Sequence, residues 1–175
     1  MDSQNKTITQ KEITVIAVDP GYDRFGISIF KRSVGQKEKL IFSDCIETDA
    51  KEEFVNRLFQ VITSFKSVIQ MFQPEFFAVE TLFFSSNQKT AMRVAEVRGA
   101  LLFTAKELNL KIMEINPMQI KLAVTGDGKS DKAQMIKMIQ LITGIKKKAR
   151  DDEYDAIATG IAFLSLYRPG YTQLT

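Results

Sequence analysis

The stretch Ile13 to Gly21 reads ITVIAVDPG and constrains the fold more than any other part of the chain. Apolar residues, with one Thr among them, run into Asp19, and Pro20-Gly21 then stop the strand. Such a run bounded by a turn marks a central strand buried on both faces. A carboxylate at the end of that strand is costly without a partner. Two readings follow: Asp19 caps the Pro-Gly turn, as Asp often does, or other acids gather around it.

The rest of the chain supplies layers for such a strand. Phe25 to Lys31 and Lys39 to Ile46 read as two further strands joined by short polar turns, which predicts an antiparallel three-strand meander. From Lys51 to Phe72 the period changes: Phe54, Leu58, Val61, Phe65, Val68, Ile69 and Phe72 recur at three and four, an amphipathic helix that Pro74 ends. Phe76 to Leu82 is a fourth buried strand, and the strand–helix–strand crossover predicts that it lies parallel to a neighbour. A long helix follows to about Leu108, then a fifth strand at Lys111 to Ile115. Pro117 opens a helix, TGDGK breaks it, Ser130 or Asp131 caps the next, and Gly144 stops that one. The last helix runs from about Asp151 to Tyr167. The expected architecture is α/β, with a five-stranded mixed sheet flanked by helices.

Residues 13–175 are long enough for one domain, and the polar residues 1–12, which lack an apolar signal-peptide core, read as a flexible tail. No apolar run approaches the roughly 18–20 residues that span a membrane. A single cysteine, Cys45, permits no internal disulfide and fits a reducing cytoplasm. The absence of histidine removes imidazole bases and, with one cysteine, structural zinc. A metal here must be a hard cation on carboxylates, Mg²⁺ or Mn²⁺ first.

Charge is uneven. Residues 116–150 carry Lys121, Lys129, Lys132, Lys137, Lys146, Lys147, Lys148 and Arg150 against Asp127 and Asp131, a net +6. Residues 151–175 hold four acids and Arg168, a net −3. A basic segment followed by acids suggests a polyanion held beside a cation site, whereas a charge run alone is more often a solvated helix face.

Glu80, in FFAVETLFF, is a second acid near the end of an apolar strand. If strands one and four are parallel neighbours, Glu80 and Asp19 share one sheet edge, where sites of α/β proteins form. Asp151-Asp152-Glu153-Tyr154-Asp155 opens the last helix; Asp152 and Asp155 share a face that continues into Ala158, Thr159 and Ala162. Asp151 and Glu153 read as first-turn acids that complement the helix dipole. Four converging carboxylates repel unless divalent cations join them, and two such ions suit phosphodiester hydrolysis.

In order and spacing these pieces resemble the RuvC-type Holliday-junction resolvases, which have the ribonuclease-H-like fold. The carrying motifs are IAVDPG, AVETLF, A-x-x-V-R-G, N-P-x-Q-I-K, TG-x-GKSDK and D-x-x-D-A-I-A, across residues 13–166. The resemblance implies that Asp19, Glu80, Asp152 and Asp155 are catalytic metal ligands, its last two acids being three apart, which selects Asp152 over Asp151. It implies Mg²⁺, with Mn²⁺ as a substitute, and two ions per site. Lys121, Lys132 and, beside them, Lys129 would contact DNA, and Phe83 would stack on an unpaired base. Ala91, Ala95, Arg98 and Gly99 would lie in a dimer-forming helix. The implied activity is the resolution of four-way DNA junctions by paired symmetric nicks in recombination and repair, by a homodimer, with a branch-migration motor as a further partner. The alternatives are a nuclease of the same fold on other structured DNA or RNA, a non-catalytic junction-binding module, and a nucleotide-binding phosphotransferase, against which a single short domain argues. The polar extension before the first strand departs from the family pattern.

Overall fold

The computed structural model describes residues 12–33, 35–82 and 88–168, with the backbone alone for 88–90. The expected tail, apart from Glu12, and Phe83 lie outside the described residues.

Among the described residues ten elements follow in the order β1 (Ile13–Asp19), β2 (Arg24–Arg32), β3 (Lys39–Glu47), α1 (Phe54–Phe72), β4 (Phe76–Glu80), α2 (Gln88–Glu107), β5 (Lys111–Ile115), α3 (Pro117–Thr125), α4 (Lys132–Thr143) and α5 (Asp151–Leu166). They form a five-stranded sheet ordered β3-β2-β1-β4-β5. The meander pairs are antiparallel, and β1–β4 and β4–β5 are parallel, as the short turns and the crossover predict. The fourth strand ends at Glu80, two residues earlier than the apolar run suggests.

β1 lies at the centre, and its alternating side chains feed two cores. Ile13, Val15 and Ala17 pack with residues of α3, α4 and α5. Ile16 and Val18 pack with residues of α1 and α2. That division explains the lack of polar alternation in the strand: neither face meets water.

Helix ends obey local chemistry. Asn116 with Gln119 and Asp131 with Gln134 form reciprocal capping boxes at the starts of α3 and α4. Asp131, not Ser130, is the α4 cap; Ser130 is buried and its hydroxyl donates to the Asp127 carbonyl at 2.7 Å.

α5 is the most buried helix, with every residue from Ala156 to Leu164 packed away from solvent. Small residues let it lie directly on the sheet. A methyl group at Gly160 would stand 2.5 Å from the Phe30 ring, and Ser28 Oγ donates to the Ala156 carbonyl at 2.9 Å. Phe30 is itself only 1% exposed and has no room to yield. Gly160→Ala is therefore expected to destabilise the fold by about 1–3 kcal/mol despite the better helix propensity of alanine. A denaturant midpoint equal to or above that of the parent would show that α5 sits less tightly than described.

Candidate active site

Sheet register determines where the acids lie. Val18 pairs with Val79, so Asp19 and Glu80 end adjacent parallel strands at the same level. By alternation, Asp19 projects with Val15 and Ala17, and Glu80 with Phe76 and Ala78, toward the face that α5 covers. Asp152 lies on the first turn of α5, and Asp155 follows three residues later at the start of the second.

The start of α5 rests on β2 without an intervening side chain. Gly26 is the register partner of Asp19, and a Cβ there would stand 1.9 Å from the Asp152 carbonyl oxygen. Only glycine allows that approach. One strand pair therefore carries Asp19 on one member and the backbone of Asp152 on the other.

The turn after Asp19 is held from α1. Arg57, only 7% exposed, donates to the Thr48 hydroxyl at 2.8 Å, pairs with the Asp23 carboxylate and stacks on the Tyr22 ring at 4.8 Å. Asp23 and Arg24 read in the sequence only as a polar turn, and Arg57 as one residue in an amphipathic helix.

The four acids share one electrostatic environment. Burial, followed by the charges of Asp155, Asp152 and Glu80, pushes the Asp19 carboxyl up to about 7. Burial and Asp155 raise Glu80, with Lys121 opposing. Burial also raises Asp155, although the bond from Lys132 pulls the other way. Lys132 donates to Asp155 Oδ2 at 2.9 Å and lies 3.6 Å from Asp151 Oδ2. Burial lowers the Lys132 ammonium, and its pairing with Asp155 and Asp151 outweighs this and raises it. Arg24 Nε lies 3.0 Å from Asp152 Oδ2, yet that buried oxygen accepts no well-directed hydrogen bond.

As the side chains stand, no group of three carboxylates among the described residues is drawn together tightly enough to hold an ion. The reason is visible in the pairing: Lys132 engages Asp155 and Arg24 lies beside Asp152. Nevertheless the donor set is all oxygen and mutually repulsive, and it contains a buried oxygen without a hydrogen bond. That combination suits a hard divalent cation once the two basic side chains move aside.

Beside the acids lies a cleft of about 310 Å³ whose walls include Glu80, Lys121, Ser130, Lys132 and Asp155. Lys129 is exposed on the loop next to Ser130. Lys121 and Lys132 thus line one cleft beside the acids, and Lys129 follows in the loop adjoining its wall residue Ser130. The remaining basic run is partly neutralised: Lys147 pairs with Glu153, and Arg150 with Glu47 at 2.5 Å.

On α2, Ala95 and Gly99 are exposed in line with Met92 and Phe103, and Ala91 is half-buried. Arg98 turns the other way. Its Nε donates to the Glu80 carbonyl at 3.0 Å, and its guanidinium pairs with Glu114 on β5. Glu153 also departs from the sequence reading. It does more than complement a helix dipole: it is 4% exposed and accepts a bond from Ser43 on β3.

The family model for the crossover junction endodeoxyribonuclease RuvC matches residues 15–163, nearly the whole described fold. The chain belongs to the RuvC family. A RuvC from Moorella thermoacetica is 36% identical over 152 residues, covering 86% of this chain and 90% of the relative. The structure described as T. thermophilus RuvC in complex with Holliday junction substrate superposes with a TM-score of 0.80 at 27% identity, covering 87% of this chain and 93% of that one. The yeast mitochondrial Holliday junction resolvase Ydc2 shares the fold, with a TM-score of 0.63 at 14% identity. The expected RuvC-type, ribonuclease-H-like architecture is therefore present. As a family member the chain is a crossover junction endodeoxyribonuclease, a hydrolase of phosphodiester bonds.

The raised carboxyl of Asp19 has a consequence without metal. A carboxyl whose folded pKa, about 7, exceeds its ordinary 3.8 binds more protons folded than unfolded, so its contribution to stability falls as pH rises from about 4 to 7. Asp19→Asn is expected to stabilise the metal-free protein at pH 8 by about 1–4 kcal/mol, with the gain shrinking toward pH 4. Thermal melts in EDTA across that range measure it, and a variant destabilised at pH 8 would contradict the shared-field account.

Proposed function

We propose that Asp19, Glu80, Asp152 and Asp155 are the catalytic metal ligands and that the enzyme resolves four-way junctions as a homodimer by paired symmetric nicks. The supporting observation is that acids from β1, β4 and α5 lie close enough that, after burial, the charges of Asp155, Asp152 and Glu80 help push Asp19 up to about 7. Mg²⁺, with Mn²⁺ as a substitute and two ions per site, would polarise the scissile phosphate and provide a nucleophilic water near neutral pH.

The chain's own residues would do the rest. Asp19 and Glu80, fixed at adjacent strand ends, would hold the cations from the sheet side. Asp152 and Asp155 would hold them from the helix side, after Arg24 and Lys132 release them. Lys132, so freed, and Lys121 and Lys129 would bind backbone phosphates beside the acids. Phe83, three residues beyond Glu80, is the candidate for stacking on an unpaired base. The α2 face with exposed Ala95 and Gly99 and half-buried Ala91 is the proposed dimer contact; Arg98, bonded within its own chain, would support that helix from behind. Residues 13–175 are read as one nuclease domain acting in the cytoplasm. A branch-migration motor is a candidate partner. Among the described residues no helix is long and apolar enough to cross a membrane.

Asp19→Asn and Glu80→Gln are each expected to reduce cleavage of a synthetic four-way junction in Mg²⁺ by at least about 100-fold, equivalent to about 2.7 kcal/mol of lost transition-state stabilisation. Junction binding in EDTA should persist. Wild-type cleavage by either variant would remove the site assignment. Equal cleavage of junction and linear duplex by the parent would contradict the substrate assignment.

Lys121→Ala should instead weaken junction binding and lower the slope of log affinity against log salt by about one unit. An unchanged slope would show that Lys121 does not meet a phosphate.

A further inference from the structure

We propose that Glu153 is a positioning residue for Asp152, and that Lys147 serves Glu153 rather than the DNA. This inference rests on the assignment of Asp152 to the catalytic site. Glu153 lies between Asp152 and Asp155 in sequence but reaches the opposite neighbour, the edge strand β3. Its Oε1 accepts from Ser43 Oγ at 2.6 Å and lies 2.6 Å from Lys147 Nζ, while Lys147 Nζ also donates to the Ser43 carbonyl at 3.0 Å. The three groups close a ring on a carboxylate whose side chain is only 5% exposed.

The ring supplies what the helix start lacks. α3 and α4 each begin with a reciprocal capping box, whereas the α5 cap residue, Arg150, makes no side-chain capping bond. Arg150 instead pairs with Glu47, so the segment leading into α5 is tied to β3 near both Ser43 and Glu47. Gly26 lets the Asp152 backbone settle on β2, and buried Tyr154, whose hydroxyl accepts a bond from Gln140 at 3.0 Å, holds the first turn about the helix axis from the α4 side. Glu153, one residue beyond Asp152 and about 100° around that axis, holds the rotation from the β3 side. The rotation determines where the Asp152 carboxylate points, and that group's buried Oδ2 has Arg24 Nε at 3.0 Å but no well-directed hydrogen bond.

The test uses Glu153→Gln, Lys147→Met and the double variant in the full chain. Each is measured for Mg²⁺ affinity by calorimetry, junction affinity in EDTA, and kcat at saturating junction. Loss of a group that orients a metal ligand typically lowers metal affinity or activity roughly 10- to 100-fold. We expect that loss in Mg²⁺ affinity and kcat for both single variants. The double variant should be no worse than the poorer single one, and junction affinity should stay within about two-fold of the parent. If Glu153→Gln does not fold, Ser43→Ala probes the same contact from β3 and should weaken Mg²⁺ binding likewise. Folded variants with parental Mg²⁺ affinity and kcat would overturn the proposal. So would a Lys147→Met variant that loses junction affinity and salt dependence while keeping kcat, because Lys147 would then be a phosphate contact. Cleavage by the parent and its loss in Asp19→Asn are read first. A parent that does not cut junctions would refute the substrate assignment, and the calorimetric arm would still decide the role of Glu153.

Discussion

The seat of α5 on β2 is the contact on which the candidate site depends. At Gly26, the register partner of Asp19, the helix backbone touches the strand with no side chain between them. Ser28 and Gly160 extend the contact along the helix. A larger residue at either glycine would lift α5 and carry Asp152 and Asp155 away from the strand-borne acids. The sheet register does the equivalent work for Glu80, since parallel pairing of β1 and β4 leaves both carboxylates at one level.

This closeness opposes stability. Burial, and after it the charges of neighbouring acids, raise Asp19, Glu80 and Asp155. Two buried cores hold the arrangement, one on each side of β1. Lys132 relieves part of the repulsion by bonding Asp155, and Arg24 lies within ion-pair distance of Asp152. The metal-free state therefore carries its own counter-ions. A divalent ion would displace them, freeing at least Lys132 for phosphate at the moment the site becomes competent. This links the basic side of the cleft to the acidic one through a single residue.

Much of this was legible in the chain. The unbroken apolar run before Asp19 predicted the central strand, and the crossover predicted the parallel partner bearing Glu80. The i, i+3 spacing of Asp152 and Asp155, with small residues behind them, predicted a helix pressed to the sheet. Asn116-Pro117 and Asp131 marked helix starts by local rules. What escaped depends on contacts between residues far apart in sequence. Nothing local says that Gly26 faces a helix 126 positions on, that Arg57 reaches back to Asp23, or that Glu153 meets Ser43 rather than water. Arg98, read with a helix contact face, is engaged by its own β4 and β5. Lys147 and Arg150, counted in the basic segment, are paired across the fold. Charge counts along a sequence register sign but not partners.

The central claim is that the four acids form one cation site once their basic partners withdraw. Anomalous diffraction from crystals soaked in Mn²⁺ tests it most directly. The account predicts anomalous density between the carboxylates of Asp19, Glu80, Asp152 and Asp155, with Lys132 swung off Asp155. Mn²⁺ bound elsewhere, or Lys132 still bonded to Asp155 with no ion among the acids at saturating Mn²⁺, would contradict it.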